Sequence, residues 1–390
     1  MFKDYTKYLI IVLLFQSPSN ITIANKTNHH QSAHLNFVLA DFDRVVRHTL
    51  EEWDLPGVAV AIVHNDSIVF MKGYGVRRMG QPELIDTHTV FRIASLSKGF
   101  ASLLTGLLVQ ENVLHWDDRV IQYLPNFSSK EPDNTQNLTI HHILSHTSGL
   151  VPHAFDNLIE ANVSYINIIK ELKEVSVVDS VGKQYGYQNV VYSLIGDIIE
   201  SATGKKYEDL IHERLFEPLG MRDASIGWGP LIAEPNRASP HIRRSYQWTP
   251  VLDKKAYYSV LPAAGVNASI CDMAQWLRAQ MGGMSQVIPP EILTTIQTPV
   301  IRTRGEMRRY YWNGRLRGAH YGMGWRIFDY AGHTMITHSG GIRGYLAQLA
   351  FIPEQDIGIV VLYNSKRIDF LLPTFFDMFL KLDGMNVNGQ

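Results

Sequence analysis

The run Phe91-Arg-Ile-Ala-Ser-Leu-Ser-Lys-Gly-Phe100 holds a serine and a lysine three positions apart, and leucines follow at 103, 104, 107 and 108. That leucine spacing is typical of one helix face. If the helix begins at Ser95, its hydroxyl and the amine of Lys98 lie on the same side within reach of each other. A neutral amine can activate a hydroxyl as a nucleophile, and the N–H groups of a helix start suit a developing oxyanion. The run predicts a serine nucleophile.

The Ser-x-x-Lys spacing is not specific by itself, because the chain contains a second copy. Ser180-Val-Gly-Lys183 includes a glycine and no apolar helix follows it, so we interpret it as a chance match. The alternative for Ser95 is a helix cap with a solvated Lys98 one turn later. Further motifs have to decide between these interpretations.

The composition predicts a large folded core and few classes of partner. The 390 residues are 45% hydrophobic, which suffices for one large domain or two interleaved ones. Charged residues are 19% and the formal net charge is -1, so nothing indicates nucleic acid or an anionic membrane surface as a partner. Cys271 is the single cysteine, so an intramolecular disulfide cannot form.

The N-terminal sequence has the order of a signal peptide. Lys3 and Lys7 precede the short apolar stretch 8–15, and a polar stretch then leads to small residues ending at Ala24. We expect residues 1–24 to be a signal peptide cut after Ala24. The apolar stretch is too short to span a bilayer, so we expect no permanent membrane anchor after cleavage and a periplasmic or secreted product.

Residue patterns divide the remaining chain into three parts. Residues 25–36 are polar and predict a flexible leader, residues 37–382 a single folded domain, and residues 383–390 a polar tail. Apolar residues at helical spacing predict a helix over 37–53 and a closing helix over 370–382.

Strand patterns occur at both ends of the folded domain, and helical patterns occupy the middle after Ser95. The predicted strands are 57–63, 68–74, 324–329, 333–338, 345–352 and 357–363. Elements segregated in this way predict an α+β fold, in which one antiparallel sheet forms from both chain ends, is flanked by helices, and carries an inserted, mostly helical region. A cleft between sheet and helical region is the expected site.

Tyr187-Gln-Asn189 precedes the apolar helical pattern 190–199. The phenol of Tyr187 could take or relay a proton from the nucleophile, and the amide of Asn189 can both donate to and accept from an amide substrate. The alternative is a tyrosine packed on the core with Asn189 as a helix cap. Tyr165-Ile-Asn167 is a copy of that kind inside a predicted helix.

His338-Ser-Gly-Gly341 ends the strand that begins at His333. An edge strand ending in two glycines lets a substrate backbone approach closely. The Gly341 N–H could then join the Ser95 N–H in an oxyanion hole. The alternative is an ordinary strand end with a glycine turn.

Together, Ser95 to Lys98, Tyr187 to Asn189 and His338 to Gly341 resemble the serine β-lactamases and penicillin-binding proteins, in particular the class C β-lactamase, DD-peptidase and esterase branch. The similarity extends from Phe42 to about Phe379. Further matching segments are His142-Ile-Leu-Ser-His-Thr-Ser-Gly149, Phe216-Glu-Pro-Leu-Gly-Met221, Ala264-Gly-Val-Asn-Ala-Ser-Ile-Cys-Asp-Met273, Tyr321-Gly-Met-Gly-Trp325 and Gly340-Gly-Ile-Arg-Gly-Tyr345.

The resemblance implies a β-lactamase/transpeptidase-like fold for residues 37–382 and a serine hydrolase acting through an acyl-enzyme, without a cofactor or metal. The expected substrate is a small molecule or peptide: a β-lactam, a D-alanyl peptide or an ester. The implied roles are nucleophile for Ser95, its partner for Lys98, general base or proton relay for Tyr187, and substrate binding for Asn189, His338, Ser339 and Gly341.

The third motif departs from the resemblance, because His338 stands where class C β-lactamases typically carry the lysine of Lys-Thr-Gly. A histidine there is similar to certain DD-peptidases and esterases. Its ordinary pKa near 6.5 predicts partial charge and an activity that varies across the imidazole range. Arg343 is a candidate for the missing fixed charge. The absence of Ser-Asp-Asn disfavours a class A enzyme.

Competing functions are weaker or remain open. His142 and His146 stand at i and i+4, but there is no His-Glu-x-x-His, and His146 leads into a Thr-Ser-Gly turn, so we interpret it as structural rather than as a zinc ligand. No Gly-x-Ser-x-Gly is present, which disfavours an α/β-hydrolase. β-Lactamase or DD-peptidase activity ranks first and esterase second. A receptor that is acylated by penicillins or cell-wall peptides without turnover is a further alternative.

Overall fold

The structure is a computed structural model that describes residues 18–309, 312, 314–366 and 370–382. Most of the expected signal peptide (residues 1–17) and the tail 383–390 lie outside these ranges. The strands are β1 Gly57–His64, β2 Ser67–Gly75, β3 Phe91–Arg92, β4 Ser225–Ile226, β5 His241–Arg244, β6 Gln247–Pro250, β7 Val266–Ala268, β8 Ile301–Arg302, β9 Leu316–Tyr321, β10 Arg326–Tyr330, β11 His333–Ile342, β12 Tyr345–Ile352 and β13 Ile357–Tyr363.

The helices of the described chain lie mostly between β3 and β8. They are α1 Pro18–Glu52, α2 Ser97–Gln110, α3 Val120–Tyr123, α4 Pro132–Asn137, α5 Ile140–Leu144, α6 Asp156–Glu160, α7 Tyr165–Lys170, α8 Asn189–Thr203, α9 Tyr207–Ile211, α10 Trp228–Ala233, α11 Leu261–Ala264, α12 Ile270–Gln280, α13 Pro290–Ile296, α14 Glu306–Arg309 and α15 Leu371–Phe379. Single turns of tighter or wider helix occur at Ala94–Leu96, Leu172–Glu174, His212–Phe216 and Pro353–Gln355.

The main sheet joins the two ends of the chain. Its strand order is β2-β1-β13-β12-β11-β10-β9-β8, and β1 pairs antiparallel with β13 from Val58 opposite Tyr363 to His64 opposite Ile357. The large helical insertion follows β3 and returns before β8. The α+β fold with a sheet from both chain ends is therefore confirmed.

Both faces of the sheet are covered, which explains why β1 is apolar along its whole length. Val58, Val60 and Ile62 pack with helices α1 and α15 in one core. The alternate residues Ala59 and Ala61 pack on the opposite face, in the core that includes α2, α8 and α12. Side chains alternate between the two faces of a strand, so β1 contributes side chains to both cores. Each buried valine or isoleucine contributes about 1.5–3 kcal/mol.

The cleft forms where β11 extends beyond the end of its neighbour β10. The pairing of these strands ends at Thr337 opposite Arg326, whereas β12 continues beside β11 as far as Ile342 opposite Tyr345. Residues 338–342 therefore have one open edge, and this edge faces the start of α2. The sequence predicted an edge strand that ends in the two glycines. β11 does end just after them, at Ile342, so the predicted bounds 333–338 were four residues short, and the edge position was wrong because β11 lies between β12 and β10.

Helix α1 also differs from the sequence prediction. It includes all of residues 25–36, where a flexible leader was predicted. After Pro18 no glycine or proline occurs before the helix ends at Glu52, so nothing in the backbone interrupts it. Within the described ranges, no helix has the length and apolar character needed to cross a bilayer.

Candidate active site

Ser95 lies on a tight turn immediately before α2. The turn Ala94–Leu96 is a 3-10 helix and the α-helix begins only at Ser97, so the predicted helix start is displaced by two residues. Ala94 has a φ of +48°, a left-handed conformation that is uncommon for a residue with a side chain. The Ser97 hydroxyl donates to the Ala94 carbonyl at 2.6 Å and accepts from the Val266 N–H at 3.0 Å. These bonds fix the turn that presents Ser95.

The amine of Lys98 contacts Ser95 from one helical turn away. Lys98 Nζ lies 3.4 Å from Ser95 Oγ, 2.8 Å from Asn189 Oδ1 and 3.1 Å from the Ala263 carbonyl oxygen. A neutral amine has two hydrogens and one lone pair. The amide and carbonyl oxygens can only accept, so they take the two hydrogens, and the lone pair is left for the Ser95 hydroxyl.

Burial keeps that amine neutral. Lys98 is completely inaccessible to solvent, and burial lowers its pKa well below the ordinary range. The positive charge of Arg326 lowers this pKa further, while the carboxylate of Asp156 opposes both effects. A desolvated charge without a close counterion is unfavourable, so the neutral form prevails. The site thus holds a base next to the candidate nucleophile.

Tyr187 lies against the same amine. Lys98 Nζ is 4.6 Å from the centroid of its ring, and the guanidinium carbon of Arg326 is 5.5 Å from that centroid on another side. Tyr187 is 8% exposed and lines the same cavity as Ser95. The Tyr187 ring therefore lies close to two basic side chains in the cavity that also contains the candidate nucleophile.

Asn189 connects Lys98 to an acidic group. Its side-chain NH2 donates to both carboxylate oxygens of Asp156 at 3.0 and 3.1 Å, and its oxygen accepts from Lys98. His153 Nδ1 lies 2.9 Å from Asp156. The Asn189 amide is thus held in one orientation by partners within the protein. Asp156 and His153 were not identified from the sequence, because they lie far from the three motifs along the chain.

His146 supports the Tyr187 segment. Its Nδ1 accepts from the Gln188 N–H at 3.2 Å, its carbonyl accepts from the Gly186 N–H at 2.8 Å, and its ring centroid is 4.2 Å from that of Tyr187. Its φ of +57° is left-handed. Burial, together with the charge of Arg326, lowers its pKa well below the ordinary value. His146 therefore acts as a neutral acceptor and packing partner.

His338 is neutral and lies behind the cleft. Its Nδ1 is 3.0 Å from the Ser339 carbonyl, which can only accept, so Nδ1 carries the hydrogen; Nε2 then accepts from the Tyr321 hydroxyl at 3.1 Å. Burial, followed by the charge of Arg326, lowers its pKa well below 6.5. The prediction that His338 titrates near neutrality was wrong, because the sequence does not reveal this burial.

The two glycines of the third motif border the nucleophile. A Cβ added to Gly340 would lie 2.0 Å from the Ile93 carbonyl and 2.7 Å from the Ser95 nitrogen. Only glycine permits this approach of β11 to the Ser95 turn. Gly341 and Ser339 line the Ser95 cavity, as was predicted for substrate-binding residues.

The cationic residues of the cavity differ from the predicted one. Arg343 lines two neighbouring cavities but not the one that contains Ser95. Arg326 and Lys366 do line it. Arg326 could have been identified from the sequence, because it directly follows the matching segment Tyr321–Trp325. An ion pair with Glu306 at 2.8 Å holds its side chain. Lys366 lies just beyond β13 and had no recognisable motif.

The Ser95 cavity has a volume of about 190 Å³. It combines a serine on a helix-start turn, a neutral amine behind it, a phenol and a backbone edge with glycines. These groups suit attack on a carbonyl carbon. The described residues that line the cavity are Ala94, Ser95, His153, Asp156, Tyr187, Asn189, Tyr257, Ala264, Arg326, Ser339, Gly341, Ile342, Leu346 and Lys366.

The chain is similar in sequence to known proteins. A family model described as Beta-lactamase matches residues 42–371. The chain is 26% identical over 349 residues to Unguisins hydrolase ungD of Aspergillus violaceofuscus, covering 83% of this chain and 61% of that protein. It is 25% identical over 328 residues to Protein flp of Staphylococcus aureus, covering 83% of this chain and 62% of that protein. The chain thus spans about three fifths of the length of these relatives.

A solved structure is similar in fold. The octameric penicillin-binding protein homologue from Pyrococcus abyssi superposes with a TM-score of 0.78 at 24% sequence identity, covering 88% of this chain and 77% of that one.

Proposed function

Because the chain belongs to the β-lactamase family, we propose that it is a serine hydrolase that forms an acyl-enzyme on Ser95 from an amide or ester substrate. The observation that carries this proposal is the contact of 3.4 Å between Lys98 Nζ and Ser95 Oγ, with the Lys98 pKa well below its usual range. A hydroxyl beside a neutral buried amine is activated for attack on a carbonyl.

The positions of Ser95, Lys98 and Tyr187 support the following first half of the reaction. The lone pair of Lys98 takes the proton of Ser95, whose oxygen attacks the carbonyl carbon. The N–H groups of Ser95 and Gly341 stabilise the oxyanion, an effect of roughly 2.7–4 kcal/mol per donor in a protease. Tyr187 relays the proton to the leaving group as the tetrahedral intermediate collapses. The product is an ester on Ser95 and a free amine or alcohol.

Water completes the cycle. Neutral Lys98 and Tyr187 deprotonate a water molecule, which attacks the ester on Ser95, and the proton returns to Ser95 as the acid leaves. A receptor that is acylated without turnover would stop before this step. Release of more than one equivalent of product therefore distinguishes the two functions.

We rank a β-lactam or D-alanyl peptide first as substrate. The Aspergillus relative, named as a hydrolase, supports hydrolysis rather than simple binding. An ester is the second candidate, and the neutral, buried His338 favours it. A fixed lysine in the third motif would attract a substrate carboxylate, whereas a neutral imidazole does not.

Incubation with a fluorescent penicillin and, separately, with a neutral acyl ester tests this proposal. We expect Ser95→Ala to remove both covalent labelling and ester turnover. Ser180→Ala is the matched control, because Ser180 belongs to the second Ser-x-x-Lys and is exposed. Persistent labelling of the Ser95→Ala protein would contradict the proposal. The lifetime of the adduct, compared with the rate of ester turnover, ranks the two substrate classes.

Export of the protein is a separate proposal, supported by the N-terminal sequence alone. Cleavage of residues 1–24 would give a mature chain beginning at Asn25. N-terminal sequencing of the protein from the extracytoplasmic fraction of an expressing cell tests this. An intact Met1 on protein in that fraction would contradict the predicted cleavage.

A further inference from the structure

Two more cavities continue from the one that contains Ser95. A cavity of about 330 Å³ shares Tyr257, Gly341 and Lys366 with it. A third, of about 410 Å³, shares Arg343 and Lys366 with the second. Lys366 lines all three cavities, so the second and third cavities adjoin the first. We call these two the basic groove.

A buried arginine supports the wall of the basic groove through hydrogen bonds. Arg92 is 3% exposed and donates to the carbonyls of Lys254 at 2.8 Å and Ala256 at 2.9 Å. Its guanidinium also lies 4.1 Å from the centroid of the Tyr258 ring. These contacts hold the loop that separates the groove from the core, so the groove is a fixed feature of the fold.

The groove carries a surplus of positive charge. Arg343 and Lys366 have no ion-pair partner in the described part of the chain. The second cavity is lined by two acids, Glu160 and Asp253, and by four basic residues, which are Arg92, Lys254, Arg343 and Lys366, so the positive groups outnumber the negative ones.

The third cavity adds Arg243, and its described lining contains no acid. Positive potential focused in a concave surface attracts an anion.

The lining of the groove indicates which part of a substrate enters it. Tyr187, which relays the proton to the leaving group, lines the Ser95 cavity and neither part of the groove. Gly341 lines both the Ser95 cavity and the groove. The absence of Tyr187 from the lining of the groove favours the acyl portion of the substrate, rather than the leaving group, as its occupant. Arg343 lies two residues beyond Gly341, on the order of 7 Å at the rise of a strand.

We infer that the basic groove binds an anionic group at the far end of the substrate's acyl portion, through Lys366 and Arg343. This inference rests on the proposed acyl-enzyme function and narrows its substrate class. The preferred acyl group is extended and ends in a carboxylate or similar anion. A short neutral acyl group fills the Ser95 cavity alone and gains nothing from the two cations.

A pair of esters of equal chain length tests the inference. Mono-p-nitrophenyl suberate ends in a carboxylate, and p-nitrophenyl octanoate ends in a methyl group. We expect the ratio of their kcat/KM values to favour suberate for the unmodified protein. Lys366→Glu and Arg343→Glu should each lower this ratio by about 10-fold or more, because each replaces attraction by repulsion. Added salt should reduce the preference.

Lys255→Glu is the matched control. Lys255 is exposed on the same loop as Lys254 but lines none of the three cavities. Lys255→Glu makes the same change in net charge as the two test variants, but outside the groove. It should therefore leave the ratio of the kcat/KM values within about 2-fold of that of the unmodified protein. A ratio that is equal in all four proteins, or lowered as much by Lys255→Glu, would overturn the inference.

Failure of the proposed function gives a different result. If neither ester is hydrolysed, the acyl-enzyme function fails while the groove is still testable by binding. Calorimetric titration of the Ser95→Ala protein with suberate should then show binding that Lys366→Glu weakens. No difference between Ser95→Ala and the Ser95→Ala, Lys366→Glu double variant would overturn the groove.

Discussion

At the scale of single residues, the chemistry depends on how Lys98 avoids being charged. Its nearest acid, Asp156, is separated from it by the amide of Asn189. A direct ion pair would have restored the charge, since an opposite charge in contact raises a lysine pKa. The Asn189 side chain accepts from Lys98 and donates to Asp156, but it has no net charge. It therefore stabilises a positive charge on Lys98 less than a carboxylate in direct contact would. The result is a buried base held in place by two oxygen atoms and available to Ser95.

Replacement of Lys98 tests this directly. Lys98→Met keeps the length and apolar stem but removes the lone pair, so we expect acylation to slow by about 10²–10⁴-fold. The buried oxygens of Asn189 and Ala263 lose a donor, so we expect the variant to fold with a modest decrease in Tm. The matched control is Lys183→Ala in the second Ser-x-x-Lys. Stopped-flow measurement of labelling by a fluorescent penicillin gives both rates, and a near-normal rate for Lys98→Met would remove the amine from the mechanism.

The pH dependence of acylation has a definite sign. As pH falls through the lowered pKa of Lys98, the amine gains a proton and the rate decreases. The midpoint should lie well below 10.4, the ordinary value for a lysine. His338 should contribute no change near pH 6.5, because burial lowers its own pKa. A midpoint near 10.4, or a profile moved by His338→Gln, would contradict this assignment of the base.

At the scale of secondary-structure elements, the site depends on the contact between β11 and the turn before α2. β11 reaches past β10 and presents its open edge to Ser95. The glycine at 340 lets the strand touch the backbone of Ile93 and Ser95. The N–H groups of Ser95 and Gly341, which we propose as oxyanion donors, belong to separate elements, so this contact determines their relative position.

Gly340→Ala should therefore impair catalysis more than a single methyl group normally does. The new Cβ meets backbone atoms, which cannot rotate away, so β11 has to move outward. We expect kcat to fall by about 10²-fold or more with a modest decrease in Tm. Gly341→Ala is the comparison, because its Cβ meets the flexible end of Lys366 and its N–H is kept. Equal losses of kcat in the two variants would contradict this account of the strand.

His146 offers a second test at this scale. His146→Asn keeps an acceptor for the Gln188 N–H and tolerates the left-handed backbone, whereas His146→Phe keeps a ring but loses the acceptor. We expect the Phe variant to lose more kcat than the Asn variant, with KM changing less than kcat. If the two variants lose kcat equally, the hydrogen bond has no part in positioning Tyr187.

Sequence patterns predicted the local parts of this arrangement and missed those that depend on folding. Strands β1, β12 and β13 were predicted within one or two residues, because their apolar runs are bounded by clear turns. The spacing of Ser95 and Lys98 was visible, because it is set within one helical turn. The burial of His338 was not, because it depends on aromatic residues from other segments, such as Tyr321.

At the scale of the whole molecule, the site lies where the two chain ends and the helical insertion meet. Arg326 and Lys366 come from the C-terminal strands, and Asp156 from the insertion. No sequence spacing links these residues, so only the fold reveals that they share a cavity. The flexible leader was mispredicted for a related reason: polar composition was given more weight than the lack of helix-breaking residues.

Burial of neutral histidines should also make the stability of the molecule depend on pH. The pKa values of His146 and His338 are lowered in the folded protein by burial, so below about pH 6.5 the unfolded chain binds more protons. Stability should then fall with decreasing pH, by up to about 1.4 kcal/mol per pH unit for each histidine. Asp197 and Asp272 act in the opposite sense below their pKa values of about 6, which burial raises.

Comparison of variants separates these contributions. Denaturant unfolding of the unmodified protein and of His338→Gln between pH 7.5 and 5 gives two slopes of stability against pH. The variant should have the shallower fall, since the carboxylates are common to both. The control is His48→Gln, which changes an exposed histidine of α1. Its slope of stability against pH should match that of the unmodified protein. A His338→Gln slope identical to that of the unmodified protein would show that His338 is not buried neutral.

The most direct test of the central claim is to locate the acyl group. The protein is quenched with acid during turnover of a penicillin or an ester, digested, and analysed by mass spectrometry of the peptides. We predict one acyl group per chain, on Ser95, and none in the Lys98→Met protein at the same early time. An acyl group on another residue, or turnover with Ser95 unmodified throughout, would contradict the account.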